Sequence, residues 1–461
     1  MQAKNILILI AVWSSMILEE CAMFEYIYLK NYKSFGEVKF DLTDKQGNPK
    51  KMVLIYGENG IGKSNLASAF FMLSETLRTM DVRDIMQSIL SERPDAINEE
   101  DFSRLIRLRY KDLETLIREN KMVASDEPML LEVGFRLNDR SGRYLIEADD
   151  NQLIHERLEY VLAKNKGTYF DITPEKMSIS TKIFQDRASY NEIKTSCSKF
   201  WGKHTLLSIL MHESDDKANE YIKKQISDNF DTVLSFFTRM SCKIKFGSYQ
   251  ERGGICLPHE IFGDFDEGSI SLKDAELLDK TENMLNIFFK SAYRDVKKVF
   301  YKRIKKETTI HYQLMQTKTI AGKDRDIEFS MESTGTQYLL QLLPYMLVVV
   351  DGSVAVIDEF DTGVHDLLVK KLVQSLFSTL TGQLIMTTHS TLLMEANIPK
   401  ECIYVINELE DGSKEIEPIS HYDQKIHENT NIRNQYLKGA YKGIPAPDDI
   451  NFTSLLSELG I

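Results

Sequence analysis

The chain has 461 residues, of which 43% are hydrophobic, and this length suits one large domain with an insertion or two domains. Its 57 basic and 69 acidic side chains give a formal net charge of −12, which argues against non-specific coating of nucleic acid as its main task. None of the five cysteines has metal-ligand spacing, and their small number predicts a reducing, cytoplasmic location.

The first 22 residues contain an apolar segment. The apolar run from Ile6 to Trp13 resembles a signal segment, but the run to Leu18 is too short to span a membrane. Met23 stands directly before a strand-like segment at 24–29. We interpret residues 1–22 as an extension ahead of a functional start at Met23. A docking helix and a membrane contact are the alternatives, and the N-terminal peptide mass of the native protein would distinguish them.

A glycine-rich loop follows the short apolar run at 51–56 and precedes a segment of helical character at 65–73. The predicted nucleotide-binding residues are Gly57, Glu58, Asn59, Gly60, Ile61, Gly62, Lys63, Ser64 and Asn65. A strand–loop–helix unit of this kind points backbone N–H groups and a helix N-terminus at a phosphate. We expect Lys63 to reach the β- and γ-phosphates of ATP and Ser64 to ligate Mg²⁺. The alternative is a chance glycine-rich turn.

Residues 23–160 are predicted to form the first half of an ATPase lobe. Strand-like runs at 129–137 and 143–147 are separated by a turn-like segment, and residues 75–125 are charged and predicted to be helical.

Residues 161–295 are predicted to be a mainly helical insertion, with amphipathic helices over 218–240 and 271–293. No heptad pattern runs long enough for an extended coiled coil. Residues 296–461 are predicted to complete the ATPase lobe and to end in a C-terminal tail.

Seven basic residues crowd into positions 294–306. Such a cluster is able to bind nucleic acid or an acidic protein. We favour the alternative, a solvated helix face.

Ser333 and Gly335 precede an apolar stretch of helical character at 338–343. A Ser-x-Gly turn that opens a helix is a second anion-binding site. One chain has no obvious use for two phosphate cradles, whereas two chains do if each offers this turn to the nucleotide held by the other. The alternative is ordinary helix capping by Ser333 or Thr334.

Two apolar runs at 347–350 and 354–357 are typical of buried strands in a parallel sheet. Asp358 follows the second run and is predicted to hold Mg²⁺ through water, and Glu359 is predicted to act as general base. The alternative is a strand end with two solvated acids. Residues 383–388 predict the next buried strand, and His389 at its end is predicted to contact the γ-phosphate; the alternative is a histidine that is merely hydrogen-bonded.

These motifs, in this order, resemble the ABC-type ATPase heads of the SMC, Rad50 and RecF group. The opening segment at 28–35 and the Gly-Glu-Asn-Gly form of the loop carry that likeness. The segments at 332–336, 357–365 and 436–445 resemble the bacterial AAA15 family of stand-alone ATPases, whose members are widespread in anti-phage defence islands. The resemblance covers about residues 23–160 and 295–450.

The resemblance implies an α/β P-loop NTPase fold: an ABC-type ATPase head with a parallel-sheet core, an antiparallel β lobe and a helical insertion. It implies Mg²⁺-dependent ATP hydrolysis at a composite site between two chains. One chain would supply Lys63, Ser64, Asp358, Glu359 and His389. The neighbouring chain would supply Ser333 and Gly335.

The sequence departs from the motifs of ABC-type ATPases in two places. No Q-loop glutamine stands out, and the signature turn reads Ser-Thr-Gly-Thr-Gln. Hydrolysis is therefore expected to be slow or strictly dependent on assembly.

The resemblance also implies a defence sensor that forms a homodimer or higher homo-oligomer. It would hold or release a separate effector, a nuclease or toxin, in response to a phage protein trigger. A RecF-like or SMC-like DNA-repair clamp is the alternative, against which the acidic balance weighs. A transporter ATPase subunit is a third reading, against which the missing Leu-Ser-Gly-Gly-Gln weighs. We expect no membrane partner and do not favour nucleic acid as a partner.

Overall fold

The computed structural model describes residues 22–91, 110–216, 225–246, 250–255, 264–422, 431–445 and 449–458. Three β-sheets organise this part of the chain. All but the last residue of the predicted extension at 1–22 lies outside the described residues. So do parts of the helices predicted within 75–125 and 218–240.

The first sheet is antiparallel and has seven strands in the order β2-β1-β4-β5-β6-β7-β8. These are β1 (Met23–Tyr32), β2 (Phe35–Asp41), β4 (Met129–Leu137), β5 (Arg140–Ala148), β6 (Leu153–Val161), β7 (Lys166–Ile172) and β8 (Met177–Ile179). Asn138 and Asp139 join β4 to β5 with φ of 49° and 56°, as a tight hairpin turn requires. This hairpin confirms the strand pair and the turn predicted there.

The central sheet has the order β10-β9-β15-β16-β3-β17-β18. Its strands are β3 (Met52–Tyr56), β9 (Ser241–Phe246), β10 (Gln250–Gly254), β15 (Val354–Ile357), β16 (Gln383–Thr387), β17 (Ile403–Glu408) and β18 (Lys414–Pro418). Neighbours from β9 to β17 run parallel, and β10 and β18 are antiparallel edges. Val53 packs into one core and Leu54 into another, so β3 is buried on both faces. This explains its continuous apolar run.

Helices lie on both faces of the central sheet. The helices of the described ranges are α1 (Lys63–Thr76), α2 (Thr79–Ser91), α3 (Leu113–Asn120), α4 (Arg187–Phe200), α5 (Leu206–Asp216), α6 (Asp228–Thr238), α7 (Ala275–Ala292), α8 (Thr334–Val350), α9 (Asp366–Thr379), α10 (Ile419–Tyr422), α11 (Ile432–Leu437) and α12 (Phe452–Glu458). Leu66 and Phe70 of α1 share one core with the antiparallel sheet, and Leu339 of α8 and Val373 of α9 belong to the other. The central sheet therefore lies between the two hydrophobic cores and contributes side chains to both. No helix in the described portion of the chain is both long and apolar enough to cross a bilayer.

The third sheet is antiparallel and packs in the same core as α7 and α8. It comprises β11 (Glu267–Ser271), β12 (Val296–Lys305), β13 (Thr309–Ile320) and β14 (Lys323–Glu328). The basic cluster at 294–306 lies on β12, so the prediction of a helix face was wrong. Val299 and Tyr301 alternate inward and are buried, whereas Lys298 and Lys302 are exposed. The basic side chains therefore form a solvated face, as expected, but it is the face of a strand and not of a helix.

The predicted strand at 347–350 was also wrong, because these residues are the last turn of α8. Gly352 adopts φ of 87°, and the Ser353 N–H donates to the Val348 carbonyl at 2.9 Å, which closes the helix with a left-handed C-terminal cap. Tertiary burial outweighs the β-propensity of the valines here, since most of this helix packs against the core.

The segment predicted as a mainly helical insertion contributes strands to all three sheets, with β11 in the third. Strands β7 and β8 extend the antiparallel sheet beyond residue 160, and β9 enters the central sheet beside β15. The insertion is therefore interwoven with the ATPase sheets.

Candidate functional site

The glycine-rich loop lies between β3 and α1, as predicted. Gly57, Gly60 and Gly62 have φ of 151°, 81° and 119°, values that L side chains rarely adopt. The Lys63 ammonium donates to the Gly57 and Glu58 carbonyls, both at 2.8 Å. The loop thus curls around its own lysine.

The N-terminus of α1 carries no competing group. Gly62 is the N-cap and supplies no side chain, and the first turn contains no acidic residue. Its backbone N–H groups and the positive end of the helix dipole therefore suit a phosphate. Asn65 instead directs its amide to the Ser34 hydroxyl at 2.8 Å, which ties the helix to the β1–β2 turn.

Asp358 directly follows β15, and its carboxylate is only 1% exposed. Thr387 donates its hydroxyl to Oδ1 at 2.6 Å, whereas Oδ2 has no hydrogen-bond partner within the described ranges. Burial raises the pKa of Asp358, and the nearby Thr387 and Ser64 hydroxyls counteract part of that rise.

A buried carboxylate oxygen beside a serine hydroxyl fits a hard cation such as Mg²⁺. No group of three or more histidine, cysteine, aspartate or glutamate side chains in the described ranges is arranged to hold a metal. Ser64 and Asp358 would hold Mg²⁺ together with phosphate oxygens and water.

Glu359 follows Asp358 with φ of 51°, an uncommon value for a side-chain-bearing residue. Its Oε2 accepts from the Lys245 ammonium at 2.5 Å. Burial raises the pKa of Glu359, but the hydrogen bond and charge of Lys245 outweigh burial, so the pKa lies below its usual value.

His389 lies just beyond β16 and is exposed. Burial of part of the ring and the charge of Lys63 lower its pKa, while the charges of Asp361 and Glu359 act in the opposite direction. The imidazole therefore shares the electrostatic environment of the phosphate loop and of the acidic pair. The predicted residues Lys63, Ser64, Asp358, Glu359 and His389 are brought together in one chain.

Ser333 and Gly335 occupy the N-terminus of α8. The Ser333 hydroxyl accepts the Thr336 N–H at 3.2 Å, so it caps the helix, the local role considered as the alternative. A Cβ on Gly335 would lie 2.2 Å from the Gly363 carbonyl oxygen, so only glycine fits there. A role of this turn toward a second chain stays a prediction.

Sequence reasoning missed several residues around the acidic pair. Thr387 hydrogen-bonds to both acidic residues. Its hydroxyl donates to Asp358, and its Oγ1 accepts the Glu359 N–H at 2.8 Å. Tyr338 donates its hydroxyl to the Glu359 carbonyl at 3.0 Å. Lys33, in the opening segment, is held near Asp358, and burial lowers its pKa to about 8. Lys33 lay in the opening segment, Tyr338 in the apolar stretch at 338–343 and Thr387 in the strand predicted at 383–388, but the patterns gave none of them an individual role.

A family model of the AAA ATPase domain, AAA_15, matches residues 23–394. The chain belongs to this family. It is therefore an ATP-binding ATPase, and the match includes the middle segment, for which the sequence motifs gave no likeness. A comparison with curated proteins found no match.

Solved SMC heads show similar architecture. An SMC head bound to the C-terminal winged-helix domain of ScpA is 12% identical, covers 86% of this chain and 96% of its own, and has a TM-score of 0.42. The SMC head domain of Thermotoga maritima is 14% identical, with coverage of 86% and 99% and a TM-score of 0.36. An SMC head of Pyrococcus furiosus with an extended coiled coil is 14% identical, with coverage of 86% and 96% and a TM-score of 0.34.

Proposed function

We propose that the protein couples Mg²⁺-dependent ATP hydrolysis, at a site shared by two copies, to the holding or release of a separate effector in anti-phage defence. The effector would be a nuclease or toxin, and a phage protein would be the trigger. The observation that carries the shared site is the outward-facing N-terminus of α8. Ser333 and Thr334 are exposed there, and no acidic residue occupies the first turn of this 17-residue helix. Such a terminus favours an anion.

Exposed apolar side chains near the same turn suit burial against a second copy. Gly335 packs on the backbone of Gly363. Met331, just before the turn, is 74% exposed, and Leu367, just after the contacting loop, is 64% exposed. Exposed apolar patches mark interaction sites, and we propose that a second copy covers these two side chains.

The chemistry follows from the positions of the side chains. Lys63 and the N–H groups of the loop bind and orient the β- and γ-phosphates. Ser64 and Asp358 would hold Mg²⁺, which would supply positive charge against the phosphate oxygens. Glu359 accepts a proton from the attacking water. Ser333 of the second copy would complete the charge stabilisation, so ATP would favour the closed assembly over the open one.

The proposed role in defence rests on family resemblance alone. The motifs resemble the AAA15 ATPases of defence islands, and the length and layout also resemble the ATPase subunit of the PARIS system. A cytoplasmic location follows from the same reading.

The experiment for this proposal is an affinity purification of the Glu359→Gln protein from its native host with ATP and Mg²⁺ present. Mass spectrometry and nucleic-acid staining would identify what is bound. A stoichiometric protein partner encoded nearby supports the effector model. Bound DNA without such a partner contradicts it.

A repair clamp acting on DNA is the second candidate, because β12 exposes a row of lysines. Lys297, Lys298, Lys302 and Lys305 are exposed, while Arg303 is paired with Asp279 and Glu282. Filter binding of duplex DNA with and without ATP tests it. ATP-dependent retention that is lost in a Lys298→Glu, Lys302→Glu variant would favour the clamp.

A further inference from the structure

The backbone of Glu359 is fixed from several directions. Its N–H donates to Thr387 Oγ1 at 2.8 Å, and its carbonyl accepts from the Tyr338 and Thr362 hydroxyls, both at 3.0 Å. These bonds hold a residue whose φ of 51° is unfavourable for a non-glycine. Backbone strain that is held this firmly accumulates at sites where a side chain must be aimed.

The carboxylate is held as well, and by one oxygen. Oε2 of Glu359 lies 2.5 Å from Lys245 Nζ and 3.2 Å from Thr362 Oγ1, and Lys245 also donates to Thr362 at 3.0 Å. A threonine hydroxyl has one proton, which the Glu359 carbonyl also attracts. Lys245 therefore provides the more persistent restraint on the carboxylate.

The sheet itself sets this pairing. Strand β9 lies parallel to β15, and Lys243 is level with Ile357. Lys245 lies two residues beyond Lys243 on the same face of β9, and Glu359 lies two residues beyond Ile357, so the end of the paired region brings their side chains into contact. The lysine and the glutamate side chains are 27% and 35% exposed, so the pair lies at the mouth of the site.

We propose that Lys245 is a positioning residue for ATP hydrolysis, which holds Oε2 of Glu359 and leaves Oε1 to accept the proton of the attacking water. This inference rests on the proposed function. As the water oxygen bonds to the γ-phosphorus, the bond to the bridging oxygen breaks and ADP takes that electron pair. The proton passes to Oε1 and then to the released phosphate.

Other charged groups also lie near the Glu359 carboxylate: Lys63 from α1, His389 after β16 and the neighbouring Asp358. Among the charged side chains in the described ranges, Lys245 is the one that hydrogen-bonds to this carboxylate. Variants that remove or keep this bond therefore test its role.

The test compares steady-state ATP turnover of the unaltered protein with that of Lys245→Ala, Lys245→Gln and Lys245→Arg. Lys370→Ala is the matched control, because Lys370 forms a similar lysine–glutamate pair with Glu395, with side chains 23% and 32% exposed. Thermal unfolding of each variant checks folding.

We expect Lys245→Ala to lower kcat about 10- to 100-fold, with the KM for ATP changed by less than about threefold. Lys245→Gln keeps a donor without a charge, so kcat should recover in part. Lys245→Arg keeps both the charge and a donor and should restore most of kcat, which keeps the test valid if the alanine variant does not fold. Lys370→Ala should match the unaltered protein.

The outcomes separate this inference from the proposed function. Absence of turnover in the unaltered protein would overturn the proposed hydrolysis and the positioning role together. Normal turnover that is equal in Lys245→Ala and Lys370→Ala would overturn the positioning role alone. Faster turnover in Lys245→Ala would also overturn it, since Lys245 would then restrain the base.

Discussion

The two halves of the candidate site are built in opposite ways. The phosphate-binding half is one continuous stretch, Gly57 to Ser64, whose geometry comes from glycine torsions and a helix start. The half around Glu359 is assembled from α8, β15, β16 and the turn at Thr362 together with β9, whose Lys245 lies 114 residues from Glu359 in the chain. Local backbone chemistry fixes the first half, and sheet order fixes the second. Variants in the two halves should therefore fail in different ways.

The largest effect is expected from Lys63→Ala. Its ammonium occupies the concave side of the loop, so its loss removes the main cation for the β- and γ-phosphates. ATP binding, measured by calorimetry, should be lost. Lys302→Ala on the exposed face of β12 is the control, and normal ATP affinity in Lys63→Ala would contradict the loop assignment.

Glu359→Gln should separate chemistry from binding. The amide keeps the size of the side chain but cannot accept the proton, so turnover should fall about 100- to 10,000-fold while ATP is retained. Retained nucleotide and assembly mass would be measured together, with Glu408→Gln at the exposed end of β17 as control. Unchanged turnover would remove Glu359 from the role of base.

Gly57 and Gly60 test the phosphate-binding half of the site, because an added Cβ would meet different surroundings at the two positions. A Cβ on Gly57 would lie 2.9 Å from Ile61 Cγ2 and 3.1 Å from the Ile406 carbonyl, whereas a Cβ on Gly60 meets nothing within 4 Å. Gly57→Ala should therefore weaken ATP binding about tenfold more than Gly60→Ala, because a clash of roughly 1.4 kcal/mol adds to backbone strain. Equal losses of affinity would show that torsion alone sets the loop.

The smallest effect is expected at Glu156. This is a second buried carboxylate, whose hydrogen bonding can be compared with that of Asp358. Glu156 is fully buried and accepts from the Tyr144 hydroxyl, the Trp201 ring N–H and the Leu206 backbone N–H. Burial raises its pKa to about 7. A fully bonded acid of this kind is structural, whereas the open Oδ2 of Asp358 suits a metal.

Glu156→Gln tests that distinction through the pH dependence of stability. The folded state keeps the proton at a pH where the unfolded chain has lost it. The stabilisation is therefore complete below the unfolded pKa of 4.5 and is lost as the pH rises through about 7. Urea unfolding between pH 4.5 and 8 should show this decline in the unaltered protein and a flatter profile in the variant. Identical profiles would contradict it.

The sequence was sufficient for the parts of the fold that local rules determine. The loop, the hairpin at Asn138 and the acidic pair after β15 all follow from torsions and strand patterns. The same rules mistook 347–350 for a strand, because β-branched residues suit a buried helix when tertiary packing covers them. They also gave no reason to place β9 beside β15, since strand order depends on contacts between distant segments. Lys245 was missed for that reason.

The position of β9 has a consequence for protein engineering. A minimal head that joined residues 23–160 directly to 296–461 would remove both β9 and β10 and leave the edge of β15 unpaired. Exposed apolar strand edges pair with other chains, so such a truncated protein should aggregate. The middle of the chain is therefore not a detachable module, and swaps between relatives should cross over outside β9.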